Sequence, residues 1–498
     1  MLFNSYEFLL AFLPLALAGY FLLAGRAGRR TQVLWLIAAS LFYYAWGNPW
    51  LLALLGASTV GNYLIAGWIA RLRDGSPTGA RLVTAAGVSL NLAVLGYFKY
   101  SNFLVINVAE LTGLPLTMST VVLPLGISFI TFQKIAYLVD VYRRVTVERN
   151  FLNFALFVSF FPQLIAGPIV HHSEVMPQFA ARTRDKWDGL AVGGMMFVLG
   201  LFKKVAIADP LGLEASTIFN AVAHDGLEPM VLQAWAGVAC YTFQIYFDFS
   251  GYSDMAVGIA RMFGIRLPMN FASPYQAASI VDFWRRWHIS LSRFLRDYLY
   301  VPLGGNRRGP ARRYGNVFLT MVLGGLWHGA AWTFVLWGAL HGLLILINQA
   351  WTDQVTRRWG ITLPRAVAWP LTFALVAACW VPFRADTVAA AGTMYAGMIG
   401  LNGIELSKSA VGLLDPRGSL ALLVLAGAIA WFAPNTYQLL GDFGPALPTR
   451  GYPATAITAA PLWLRWSPRW WTAVVGGALF TVCILRLTDV SEFIYFHF

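Results

Sequence analysis

Residues 316–342 read NVFLTMVLGGLWHGAAWTFVLWGALHG, a run long enough to cross a bilayer that contains no Asp, Glu, Lys or Arg. A hydrocarbon core takes about 20 mostly apolar residues of helix, so this stretch reads as membrane helix, either broken or paired. Its ionisable groups are His328 and His341. An ionisable group at membrane depth is costly, and it carries a functional hypothesis beside the plain one of a hydrogen-bonded structural residue. Gly324, Gly325 and Gly329 surround His328 and leave room for another helix or a ligand to approach. On a continuous helix His341 points about 220° away from His328, so a structural role suits it better.

The rest of the chain has the same character. Of 498 residues 58% are hydrophobic and only 12% charged, about half the charged fraction of a soluble protein, and the mean hydropathy is +0.60. An ordinary soluble enzyme is excluded, and many bilayer-spanning helices are expected. Lys and Arg number 36 against 23 Asp and Glu, a net charge of +13. The excess is scattered over short loops, which suits an anionic cytoplasmic leaflet and argues against nucleic-acid binding. Cys240, Cys379 and Cys483 lie in apolar stretches without zinc-ligand spacing, and neither a disulfide framework nor a metal site is expected.

Residues 8–24 read as a retained first span, because Arg26, Arg29 and Arg30 follow the apolar run and none precedes it. Arg71, Arg73 and Arg81 follow the third element, so the positive-inside rule puts the N-terminus outside, in the periplasm of a Gram-negative cell. Further apolar runs at 32–47, 51–70, 82–98, 101–112, 121–142, 151–170, 188–207, 229–263, 316–348, 366–383, 417–433 and 470–487 give about a dozen membrane elements. No internal repeat is visible, which weighs mildly against a transporter or flippase.

Three polar clusters interrupt the apolar sequence. In SFITFQKIAYLVDVYRR (128–144), Gln133, Tyr137 and Asp140 share a helical face, as a structural network or a substrate lining. In YFDFSGYSDMAVGIARMFG (246–264), Asp248, Tyr252 and Asp254 cluster around Gly251, which suggests a helix break lining a cavity. In residues 279–309, Asp282 and Arg286 are i, i+4 partners, and Arg285, His288 and Ser292 follow along one helix face. Interleaved Phe283, Trp284 and Trp287 suggest an interfacial or re-entrant helix; basic Arg307, Arg308, Arg312 and Arg313 follow, facing lipid head groups or a donor's phosphates. His171, His172, His224 and His497 read as loop or surface residues, and no GxSxG, P-loop or HExxH is present.

DFWRRWHISLSRFLRDYLYVPLGGNRRG (282–309), followed by GGLWHGAAWTFVLWGALHG, resembles the membrane-bound O-acyltransferase family, in the bacterial branch of alginate O-acetylation and teichoic acid D-alanyl transfer. FFPQLIAGPIVHH (160–172) and the closing EFIYFHF strengthen the resemblance. It implies an all-α polytopic membrane fold with broken or re-entrant helices around a central tunnel. The core would span residues 1–383, with a C-terminal extension over 384–498.

By position, the resemblance makes His328 the essential histidine and His288 the second; Asp248, Tyr252, Asp254, Asp282, Arg285, Arg286 and Ser292, read from the polar clusters, are expected to line a substrate tunnel or support the site. It implies no bound cofactor and an acetyl-CoA donor on the cytoplasmic side of the bacterial inner membrane. The acceptor is a hydroxyl reached from outside, with a periplasmic acetyltransferase partner passing the group to a polysaccharide such as alginate. D-alanyl transfer to a cell-wall polymer and non-catalytic transport are the competing readings.

Overall fold

The computed structural model describes residues 1–26, 28–119, 121–180, 186–404, 418–447, 460–487 and 493–494. Among them the architecture is helical; the β-type pairing seen is an isolated bridge between Pro268 and Leu447. Helix α1 (Leu13–Arg26) continues a wider-wound turn over Glu7–Phe12 and is answered by α2 (Gly28–Ala45). Next come α3 (Leu51–Gly75), α4 (Pro77–Thr112) and α5 (Ile127–Tyr142). Short α6 (Phe151–Ser159), α7 (Phe161–Leu164) and α8 (His172–Ala180) lead to α9 (Lys186–Phe202). A wide turn over Lys203–Ala208 joins it to α10 (Asp209–His224), and α11 (Val231–Met262) returns along α9.

After α12 (Ile280–Arg286) and α13 (Ile289–Leu295), the chain forms the hairpin α14 (Gly309–His328) and α15 (Trp332–Trp351). Then follow α16 (Arg357–Trp359), α17 (Arg365–Arg384), α18 (Val388–Met398), α19 (Gly418–Phe432), α20 (Thr436–Leu439) and α21 (Trp470–Arg486). Six helical stretches among the described residues are long and apolar enough to cross a bilayer, beginning at Glu7, Leu51, Pro77, Lys186, Trp332 and Arg365, and α19 and α21 are shorter apolar helices.

The charged helix ends gather at one end of the bundle. Arg73 at the end of α3 donates to the Val141 carbonyl at the end of α5, over 3.0 Å. Arg144 pairs with Asp74 at 2.8 Å, and Arg143 donates to the Asp297 carbonyl. Helices α3 and α5 are therefore parallel, with α4 running back between them.

Three expectations change. The runs 82–98 and 101–112 form one helix, α4, because Lys99 and Tyr100 sit inside it and not in a connection. The 316–348 run does break, after His328, so the 220° separation from His341 on a continuous helix does not apply. The expected break at Gly251 is absent, since α11 is continuous through it.

The glycines of α11 serve close packing instead. A Cβ on Gly251 would lie 2.6 Å from the Gly200 carbonyl oxygen, and one on Gly258 would lie 2.6 Å from that of Gly193. The reciprocal Cβ positions on Gly200 and Gly193 would each meet the partner glycine's carbonyl at 2.5 Å. Heptad-spaced glycines on two antiparallel helices thus bring the backbones together, where dispersion between close surfaces replaces the hydrophobic drive that lipid cannot give. Gly251→Ala should destabilise the protein by about 1–3 kcal/mol, as overpacking does. Gly194→Ala, where a Cβ meets nothing within 4 Å, should not; thermal unfolding in detergent compares them, and equal melting temperatures would refute the glycine contact.

Candidate active site

His328 is the last residue of α14 and only 3% exposed. Gly329 and Ala331 are extended, so the helix stops and leaves its final carbonyls to be satisfied by other groups. Helix α4 supplies them. Tyr100 donates to the Leu326 carbonyl at 2.7 Å, and the Lys99 ammonium donates to those of Trp327 at 2.5 Å and His328 at 2.9 Å. A cation at a helix C-terminus also meets the negative end of its dipole. Gly325 and Gly338 let α14 and α15 touch backbone to backbone.

His288 lies at a second break. Helix α12 ends at Arg286, α13 begins at Ile289, and His288 between them has φ 41° and ψ 55°, left-handed and rare for a side-chain-bearing residue. The expected continuous face through Arg285, His288 and Ser292 therefore does not exist. The turn is fixed by Asn270: its Oδ1 accepts from the Ser290 amide at 3.2 Å and the Ser290 hydroxyl at 2.9 Å, and faces His288 Nδ1 at 3.1 Å. A backbone N–H only donates, so the atom facing Ser290 is oxygen, and Nδ2 is left to donate to Ser253 at 3.2 Å. His288 Nδ1 must then carry the proton, and in the neutral ring the lone pair lies on Nε2.

One aromatic wall joins the two histidines. The Trp327 ring is 4.9 Å from the His328 ring and 6.4 Å from that of His288, and Trp337 and Phe383 stand edge-on to His328 at 5.0 and 5.3 Å. His328 also borders a cavity of about 50 Å³, shared with Lys99, Gly126, Ser128, Phe129 and Trp327. That is room for a group of a few heavy atoms. His341 belongs to the same aromatic cluster, 4.8 Å from Trp337, where its Nδ1 accepts from the Trp284 indole at 3.3 Å.

The other expected residues have structural partners. Asp248 is buried against Lys204 at 2.7 Å, shares that lysine with Asp209, and accepts from the Ile494 amide. Asp254 takes Lys203 and Thr436, each at 2.6 Å. Tyr252 stacks between Phe3 and Phe493. Asp282 and Arg286 do pair, at 2.9 Å, while Arg285 is exposed and Ser292 donates weakly to the Trp287 carbonyl. None of these seven lines the His328 cavity.

His171 and His172 are not surface residues. Tyr298 donates to Asp140 at 2.6 Å, and the two imidazoles approach that carboxylate at 4.0 and 3.8 Å. Burial pushes His171 down to about 3 and His172 to about 4, so both are neutral and these approaches are not ion pairs. Tyr137, which accepts from the Glu148 amide, and Asp140 are thus held in a hydrogen-bonded network. His224 is exposed beside Asp386, and His497 lies outside the described residues.

Sequence reasoning missed Lys99, Asn270, Lys203 and Lys204. The lysines carried the signal that singled out the histidines, charge within apolar sequence; Asn270 carried none.

The membrane-bound O-acyltransferase family model matches residues 147–381. The chain is 41% identical over its full length to a Pseudomonas putida protein named probable alginate O-acetylase, covering all of it. It is also 44% identical to the Helicobacter pylori peptidoglycan O-acetyltransferase, over 82% of this chain and 81% of that one. A Bacillus subtilis teichoic acid D-alanyltransferase matches at 30% over 44% of the chain. The chain belongs to the membrane-bound O-acyltransferase family. It is an integral membrane O-acyltransferase, and the family match takes in both helix breaks.

In this acyltransferase the Lys204 cluster holds α10, α11 and the segment at Ile494 together. Lys204→Met should destabilise it by about 3–5 kcal/mol, because two carboxylates lose their buried cation. Adding Asp248→Leu should recover part of that loss. A single variant that melts like the parent in detergent would show the cluster to be dispensable.

Proposed function

We propose that this acyltransferase moves an acetyl group from a cytoplasmic thioester, acetyl-CoA, to a hydroxyl reached from the other face, for O-acetylation of an extracytoplasmic polysaccharide. The observation that carries the reading is His328: a buried imidazole at a satisfied helix end, on the wall of a cavity sized for a small acyl group. Relatives that match end to end are named "probable alginate O-acetylase", which supports an alginate-like acceptor. Described segments outside the bilayer are short, which supports a periplasmic acetyltransferase partner as the direct acceptor or carrier.

The arginine-rich end, with Arg73, Arg143 and Arg144, is the cytoplasmic one under the positive-inside rule, and the N-terminus is periplasmic in the bacterial inner membrane. Helix α14 begins beside Arg307 and Arg308 and carries His328 about 28 Å along its axis. The donor's nucleotide end therefore stays among the cytoplasmic arginines while the acetyl group is presented at depth.

His328 accepts the acceptor's hydroxyl proton as its oxygen attacks the thioester carbonyl carbon. The carbon–sulfur bond then breaks, and the thiolate takes the proton back, leaving an ester and a thiol. His288 has its Nδ1–H committed to Asn270 and presents a lone pair at Nε2. It serves as a proton acceptor or relay and not as an oxyanion donor.

His328→Ala should fold and insert normally and lose at least about 100-fold in acetyl transfer to a hydroxyl acceptor by the purified protein in proteoliposomes. His288→Ala should be equally or less impaired. Full activity in a well-folded His328→Ala protein would overturn the proposal.

A further inference from the structure

An acyl transfer in a dry site needs a donor for the charge that develops on the carbonyl oxygen, and His288 does not provide one because its N–H is engaged. Lys99 is placed for the task. An ammonium has three N–H groups, and those of Lys99 meet two hydrogen-bond acceptors among the described residues, the carbonyls of Trp327 and His328, with the Trp327 ring centroid 5.9 Å from Nζ. No carboxylate pairs with it there. Lys99 lines the same cavity as His328.

The first turn of α5 forms another part of that cavity's wall. Gly126, with φ 73°, turns the chain so that Ile127, Ser128 and Phe129 begin the helix against the cavity. A Cβ on Gly126 would lie 2.9 Å from the Leu164 carbonyl oxygen, so the turn is held close to α7. A helix N-terminus presents amide donors and the positive end of its dipole. Two elements of positive potential, a part-buried lysine ammonium and a sixteen-residue helix's first turn, thus converge on one small space bordered by the histidine.

We infer that Lys99 is a dual-purpose residue of the acyl-transfer site: it positions His328 by capping α14 and, with the first turn of α5, receives the oxyanion of the tetrahedral intermediate. This rests on the acyl-transfer role of His328 proposed above. As the acceptor oxygen bonds to the carbonyl carbon, that carbonyl's electron pair moves to its oxygen, beside the third N–H of Lys99. When the carbon–sulfur bond breaks, the pair returns to re-form the carbonyl, and the thiolate leaves with the proton held by His328. Lys99 lends charge and a hydrogen bond and is unchanged at the end.

The test compares Lys99→Met, Lys99→Arg and His328→Ala with the parent, all full-length in proteoliposomes with acetyl-CoA and a hydroxyl acceptor. Lys99→Met should lose about 100-fold in kcat with KM for the donor changed by less than about twofold. Lys99→Arg, which keeps charge and donors, should recover about tenfold of that loss. Amide hydrogen exchange over residues 324–329 should quicken in Lys99→Met and remain slow in Lys99→Arg.

Parental kcat in Lys99→Met, with His328→Ala inactive, would overturn the inference and leave the acyltransfer mechanism standing. Equal losses in Lys99→Met and Lys99→Arg with parental exchange would overturn it as well. Full activity in His328→Ala would strike the mechanism itself, and the inference with it.

Discussion

Every helix end inside this protein must find its hydrogen bonds in other parts of the protein, since hydrocarbon offers none. The chain stops a helix at Arg286, two residues before His288, and again at His328, and each break is closed by side chains from a distant segment. Asn270 closes the first through the Ser290 amide and the His288 ring. Lys99 and Tyr100 close the second through three consecutive carbonyls. The two imidazoles are therefore held by the same bonds that make the breaks tolerable, and loosening either break would move a histidine.

The glycines follow a related logic. In lipid, close approach of helices earns more than burial of large side chains, because the alternative contact, an acyl chain, is just as apolar. Gly193 and Gly200 against Gly258 and Gly251, and Gly325 against Gly338, bring backbones together. The first set seats α11 on α9 and so fixes where Asp248 and Asp254 meet Lys204 and Lys203. The second seats α15 on α14 and brings Trp337 and His341 to the histidine's aromatic wall.

Much of this was legible in the sequence, and the failures have physical causes. The apolar runs 51–70 and 366–383 coincide with α3 and α17, since helix length against bilayer thickness is a constraint within one segment. His328 stood out because no other charge was near it in the chain. Lys99 was hidden by the opposite error: splitting one long helix into runs at 82–98 and 101–112 turned a costly buried charge into an unremarked loop lysine. The ion pairs of Asp248 and Asp254 are invisible in one dimension because their partners, Lys204 and Lys203, lie some fifty residues away, and only the packing of α9 on α11 reveals them. Gly251 suggests a helix break in the sequence because a glycine's two uses, freedom and closeness, are identical in one dimension.

The chemistry divides along the same line between local and distant determinants. A histidine's residue type licenses a proton acceptor, but which nitrogen accepts depends on the group opposite the other one. For His288 that group is Asn270, whose own orientation is dictated by a backbone amide twenty residues on. The chain of inference runs from an N–H that can only donate, to an oxygen that must accept, to a ring proton on Nδ1, to a lone pair on Nε2. On the proposed mechanism, with its proton spoken for, His288 leaves positive charge to be supplied by another group, and among the described residues lining the His328 cavity that group is Lys99. Under that proposal acid–base and electrostatic roles fall on different residues of one small space, and neither side chain is asked to do both.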